Sequence, residues 1–190
     1  MQGWWVASYV VLWLLVVVLA IVVVALARQI GTLHLRLGPQ GALEIDTEGP
    51  PLDEAPPLFD AHDTDGRRAV VGGPGQPSLL LFASPGCIAC EQVLPGLRTV
   101  ASRAGARALV LSDLDPDEAR VAFSDVPAPL VASPEIARAY GVPGTPFAVY
   151  LDDLGVVRAK GTPNNLEQLE GLVDTGRRRQ SEAESERRAS

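Results

Sequence analysis

Ser78-Leu79-Leu80-Leu81-Phe82-Ala83-Ser84-Pro85-Gly86-Cys87-Ile88-Ala89-Cys90 is the stretch that decides the fold. Its first half is a continuous apolar run, the pattern of a strand buried on both faces. Beyond the cysteines, Val93, Leu94, Leu97 and Val100 recur at helical spacing, so the stretch reads as strand, turn and helix with both sulfurs in the helix's first turn. Unsatisfied amides and the positive end of the helix dipole favour a thiolate there, which lowers the thiol pKa and creates a nucleophile. One helical turn brings the second sulfur beside the first, so a mixed disulfide formed at Cys87 can be resolved by Cys90.

Working outward, residues 106–112 form another apolar strand, and Asp115-Pro116-Asp117-Glu118 opens a helix with an N-cap, a proline at its first position and a capping-box acid. Residues 130–132 are a short strand, and Ser133-Pro134 caps a helix that stops at Gly141. Residues 147–151 and 156–160 make a hairpin across Asp152-Asp153-Leu154-Gly155. Asn165 with Gln168 caps a last helix through Leu166, Leu169 and Leu172. Upstream, residues 58–62 and 68–71 flank Asp65-Gly66, a strong hairpin-turn signal. The order describes an α/β domain: a central mixed sheet with helices on its faces. A length of 190 residues leaves room for one such domain plus appendages.

The principal appendage is residues 4–26, an unbroken stretch of 23 residues without charge, Pro or Gly, long enough to cross a bilayer, with Trp4, Trp5 and Tyr9 suited to the interface. A cleaved secretory signal competes, because Ala25-Leu26-Ala27 resembles a cleavage site; the missing basic n-region and the long apolar run favour an uncleaved single-pass anchor. Arg28 and Arg36 just after the span would, read literally, hold the domain in the cytoplasm. Long C-terminal domains translocate largely regardless of charge, and a tethered redox pair fits an oxidising space, so the extracytoplasmic face of the cell membrane is expected. The organisation is an anchor and flank over 1–28, a tether over 29–57, the folded domain over 58–176 and a disordered charged tail over 177–190; within the tether, residues 29–37 continue the helix for a turn or two, since Ile30, Leu33 and Leu37 recur at helical spacing, and residues 38–57 are irregular and Pro/Gly-rich. The net charge of −7 excludes a nucleic-acid partner of the usual basic-patch kind.

The chain's two cysteines could also be half of a metal site, a structural disulfide or core thiols. Zinc wants four ligands, and no second C-x-x-C or nearby H-x-x-H is present. Copper would need a further soft or imidazole ligand, whereas His34 abuts the span and His62 lies in the leading hairpin. A bridge over so short a loop would stabilise weakly. Redox use of Cys87 and Cys90 is the reading that suits their place between strand and helix, with no metal and no cofactor required.

With these residues the sequence resembles the thioredoxin-like superfamily, in its membrane-anchored TlpA-like branch. The likeness rests on Phe82-Ala83-Ser84, the Cys87/Cys90 pair, Pro95 within the following helix, and Gly144-Thr145-Pro146 before a strand. A closer resemblance is to the thiol-disulfide oxidoreductase family of methylamine utilisation, through Phe82-Ala83-Ser84-Pro85-Gly86-Cys87, Leu94-Pro95, Thr145-Pro146-Phe147-Ala148-Val149 and Val156-Val157-Arg158-Ala159-Lys160-Gly161. The resemblance implies a thioredoxin-like fold, a cis Pro146 facing the cysteines, and substrate binding beside Thr145 and Pro146. It also implies protein thiol or disulfide substrates, a redox partner protein, and a part in forming or correcting disulfides of methylamine dehydrogenase outside the cytoplasm. Two positions depart from thioredoxin: Gly86 stands where a Trp usually precedes the first Cys, and Leu81 where a buried acid usually serves the second. Two other functions compete: a redoxin-type thiol peroxidase, which needs a low-pKa Cys that peroxide oxidises to a sulfenic acid, and an anchored binding module with idle cysteines.

Overall fold

The structure, a computed structural model, describes residues 2–36 and 48–189. They form two units, the N-terminal helix and the α/β domain, each taken by itself. Helix α1 (Gln2–Arg36) is 35 residues long, and its segment Gly3–Val22 is long and apolar enough to cross a membrane. Ser8, the polar residue inside that segment, donates its hydroxyl to Trp4 O at 2.9 Å, so the helix satisfies it internally.

In the domain, β1 (Phe59–His62) and β2 (Arg68–Val71) pair as the antiparallel hairpin expected around Asp65-Gly66. A five-stranded sheet is built from β3 (Ser78–Phe82), β4 (Arg107–Ser112), β5 (Leu130–Ala132), β6 (Phe147–Leu151) and β7 (Val157–Gly161) in the order β5-β4-β3-β6-β7. β3 runs parallel to β4, and β4 to β5; β6 is antiparallel to both β3 and β7. The mixed sheet with helices on its faces agrees with the fold read from the sequence. The quoted strand is its middle member, and alternation sorts its side chains. Leu79 and Leu81 enter a core beneath α2 (Ile88–Arg103) and α5 (Leu166–Ala189), while Leu80 and Phe82 enter the opposite core with Ile136 and Tyr140. Burial pushes the phenol pKa of Tyr140 upward.

The helix boundaries follow their caps. α4 (Pro134–Ala139) begins where Ser133 Oγ accepts from Ile136 N at 3.3 Å. At α5, Asn165 Oδ1 accepts from Gln168 N at 2.9 Å and Gln168 Oε1 accepts from Asn164 N at 2.7 Å. α3 (Pro116–Ala122) starts after Asp115 as expected, yet Asp115 makes no side-chain cap bond; Pro116 leaves one fewer amide there to satisfy.

Two expectations require correction. The tail expected to be disordered over 177–190 is helical through its described residues: α5 continues to Ala189. Composition shows that this segment has little apolar surface to bury, but extending an anchored helix avoids the costly nucleus. Polar contacts hold its first turns, with Tyr150 Oη donating to Gln180 Oε1 at 3.3 Å and Arg179 Nη1 donating to Arg158 O at 3.1 Å. Within the expected tether over 29–57, the helix continues to Arg36 as the spacing predicts and residues 37–47 lie outside the described residues, but from Glu48 onward the chain is a strap fastened to the domain. Gly49 N donates to Gly141 O at 3.1 Å, Asp53 N to Val157 O at 2.9 Å, Val157 N to Glu54 O at 2.9 Å and Lys160 Nζ to Glu48 O at 2.7 Å. Proline and glycine signalled irregular backbone correctly; irregular backbone can still pack.

The β6–β7 turn offers a direct test of packing. Gly155 has φ +78°, and a Cβ there would stand 2.5 Å from the backbone carbonyl of Gly73. Gly155→Ala is expected to destabilise the domain by at least about 2 kcal/mol, combining a left-handed penalty with backbone overlap. Thermal unfolding of the full chain in detergent would measure it, and an unchanged midpoint would refute it.

Candidate functional site

Cys87 is the N-cap of α2, and its sulfur accepts from the Cys90 amide at 3.1 Å. The helix start thus already directs a backbone donor at this sulfur, the arrangement that would hold a thiolate once the pair is reduced. The two sulfurs are joined in a disulfide with Cα atoms 5.2 Å apart. Their surroundings differ. Cys87 is half-buried, whereas Cys90 is 1% exposed within the core that holds Leu81 and Val93. An incoming sulfur therefore meets Cys87.

The β3–β6 register explains the rest of the site. Phe82, at the end of β3, pairs with Phe147, at the start of β6. The residues that follow Phe82 and those that precede Phe147 must therefore lie at the same end of the sheet. Ser84 and Thr145 share a hydrogen bond between their hydroxyls, which stitches the cysteine-bearing loop to the Thr145-Pro146 loop. The Thr145-Pro146 bond is cis. Cys87, Cys90, Thr145 and Pro146, all singled out from sequence, are thereby gathered at one end of the sheet.

Sequence reasoning missed two features here. The Ser84 to Thr145 link joins residues 61 apart in sequence, and no local pattern announces such a pair. A groove of about 530 Å³ opens beside the disulfide, walled by the start of α2 and by residues 122–127 after α3. Nothing in residues 122–127 marks them as part of a site.

Leu81 is fully buried in the core shared with Cys90. The buried carboxylates among the described residues are Asp63 and Asp152. Both are committed to their own turns, Asp63 Oδ1 accepting from Arg67 N at 2.7 Å and Asp152 Oδ1 from Leu154 N and Val156 N at 2.9 Å. Neither is available to take a proton from Cys90. Glu91 is exposed on the first turn of α2 and lines the groove.

The chain is 40% identical over 182 residues to the methylamine utilization protein MauD of Methylobacillus flagellatus, a match spanning 93% of this chain and 88% of the relative. It belongs to the MauD family. MauD of Methylorubrum extorquens is 37% identical, over 89% of this chain and 85% of the relative. The resemblance to the thiol-disulfide oxidoreductases of methylamine utilisation is thus shown, and this MauD-family chain is an oxidoreductase with a Cys87/Cys90 pair at C-x-x-C spacing. No family model matches it. Among solved structures, StoA from Bacillus subtilis superposes with a TM-score of 0.52 at 18% identity, over 62% of this chain and 96% of its own. The thioredoxin domain of a thiol-disulfide oxidoreductase from Bacteroides vulgatus gives 0.51 at 18% identity, over 64% and 97%. These likenesses establish the thioredoxin-like fold.

Proposed function

We propose that this chain is a membrane-tethered enzyme that exchanges disulfides with proteins on the extracytoplasmic face, in the maturation of a disulfide-rich enzyme such as methylamine dehydrogenase. One observation carries the chemistry: an accessible sulfur at a helix N-cap, hydrogen-bonded by the Cys90 amide at 3.1 Å and bonded to a sulfur that is buried. In the oxidised form a substrate thiolate attacks Cys87, forming a mixed disulfide and expelling Cys90 as thiolate. A second substrate thiolate then attacks the substrate sulfur of that mixed disulfide and leaves with a new substrate disulfide. Two electrons and two protons pass to the cysteine pair. Run in reverse, Cys87 thiolate attacks a substrate disulfide and Cys90 resolves the adduct. The difference between its potential and that of its compartment sets the direction of net flow.

Thr145 and Pro146 are the docking residues in this reading. Their place beside Ser84, at the end of β3, lets an extended substrate segment add its backbone alongside Thr145 while its cysteine reaches Cys87. The expected partners are protein thiols and disulfides, together with a redox protein that restores the pair. Support for the extracytoplasmic face comes from the apolar segment Gly3–Val22 and from the confinement of stable disulfide traffic to oxidising compartments. Support for the substrate comes from the relatives, which are named for methylamine utilisation.

Stopped-flow mixing tests the reaction class. The reduced full chain in detergent is expected to react faster with a peptide disulfide than with hydrogen peroxide at equal concentration. Oxidation of Cys87 by peroxide at a far greater rate than by the disulfide would replace this reading with the thiol peroxidase.

A further inference from the structure

The groove beside the disulfide has a chemistry of its own. Its walls carry Leu94 on one side and Phe123, Val126 and Pro127 on the other, with the carboxylates of Glu91 and Asp125 set among them. Both acids are exposed, and no Lys, Arg or His lines the groove. Two bulky apolar residues adjoin its lining residues along the chain. Ile88, next to Cys87, is 74% exposed, and Val121, just before the lining segment 122–127, is 81% exposed. Among the described residues of the redox domain these are the two most exposed large apolar side chains. Apolar surface left in water beside a reactive disulfide marks a place where another chain is bound. Unopposed acids at the same place select the sign of charge that chain brings.

We propose that this groove is a specificity subsite that takes the cysteine-bearing segment of the substrate protein, preferring an apolar side chain beside the reacting cysteine and a Lys or Arg within the next residue or two. The apolar side chain covers Leu94, Phe123 and Val126, and the cation answers Glu91 and Asp125. This rests on the disulfide-exchange reading and adds to it a substrate chemistry. The subsite lies on the α2 and α3 side of the disulfide and is separate from docking beside Thr145 and Pro146.

The test uses the reduced full chain in detergent and two peptides, Leu-Cys-Lys and Leu-Cys-Glu in otherwise identical frames, each disulfide-bonded to the same thionitrobenzoate reporter. Cys87 thiolate attacks the peptide sulfur and expels the coloured thiolate, and Cys90 then releases the peptide thiol. At low salt the Lys peptide is expected to react about fivefold faster than the Glu peptide, the size of effect that two exposed ion pairs supply. The ratio should fall toward one in high salt. Combined Glu91→Gln and Asp125→Asn substitution should also bring it close to one, whereas Glu182→Gln, which removes the same kind of charge from α5, should leave it standing. Equal rates for the two peptides with the unaltered chain overturn the subsite, as does a ratio that survives the double substitution. Hydroxyethyl disulfide, small and uncharged, separates the two levels of failure. If it is cleaved while the peptides are treated alike, only the subsite fails; if none of the three is cleaved, the exchange reading falls with it.

Discussion

Cys90→Ser is expected to accumulate a mixed disulfide through Cys87, and Cys87→Ser to lower exchange by at least about a thousandfold, the loss that follows removal of a covalent nucleophile. The asymmetry arises from burial. With Cys90 at 1% exposure and Cys87 half-buried at the mouth of the groove, only the second can meet an outside sulfur. Once Cys90 is a serine, the adduct has no internal thiolate to displace it and waits for slower external thiols. Non-reducing gels of membranes from cells producing the Cys90→Ser chain should show higher-mass species that vanish with reductant and are absent when Cys87 is also replaced. The partners captured there would be the substrates and the redox protein. If Cys90→Ser captures nothing and neither the unaltered chain nor Cys87→Ser exchanges disulfides above the rate without protein, the cysteines are idle and the domain is a binding module.

Asp152→Ala is expected to destabilise the domain by about 3–5 kcal/mol, the cost of leaving a buried ion pair without one member. Asp152 is 1% exposed and serves two structures at once. Oδ1 accepts from the amides of Leu154 and Val156 at 2.9 Å, closing the β6–β7 turn, while Oδ2 accepts from Arg158 Nε at 2.7 Å. Among the described residues Arg158 would keep Asp53 as its acid, at 2.6 Å, and the Asp53 side chain is 71% exposed, so the surviving pair is screened by water. For a chain of this size the loss corresponds to a fall of roughly 10 °C in unfolding temperature. Asp152→Asn keeps an oxygen for the turn amides and should lose less. Calorimetry of the full chain in detergent would decide, and a midpoint within a degree or two of the unaltered chain would show that the turn and the guanidinium find other partners.

The sheet and the reactive pair were legible because both are local. A five-residue apolar run, a C-x-x-C at its end and a helical repeat beyond it are adjacent in the chain, and alternation assigns Leu79 and Leu81 to one core and Leu80 and Phe82 to the other without knowledge of the rest. The cis bond at Pro146 was available only through resemblance, since spacing cannot distinguish cis from trans. What escaped was whatever depends on distant partners. Glu48 to Pro57 looks like linker until Phe147, Val157 and Lys160 are placed beneath it. The last helical turns look unable to order themselves until Tyr150 and Arg158 are seen to hold Gln180 and Arg179. The groove joins α2 to a segment whose composition is unremarkable, so the features that set substrate preference are the ones sequence reading finds last.

The strap has a colloidal consequence. Proteins bound to a bilayer are crowded in two dimensions, where an open strand edge is a template for a neighbour of the same kind. β7 is the outer strand on its side, but Asp53 and Glu54 occupy backbone partners of Val157, and the strand keeps two inward charges, Arg158 and Lys160. At the far rim β5 is only three residues long, and Thr64 donates to Leu130 O at 2.8 Å. With both rims blunted, the chain can be packed densely on a membrane and offer its neighbours sulfur chemistry without also offering them a sheet to join.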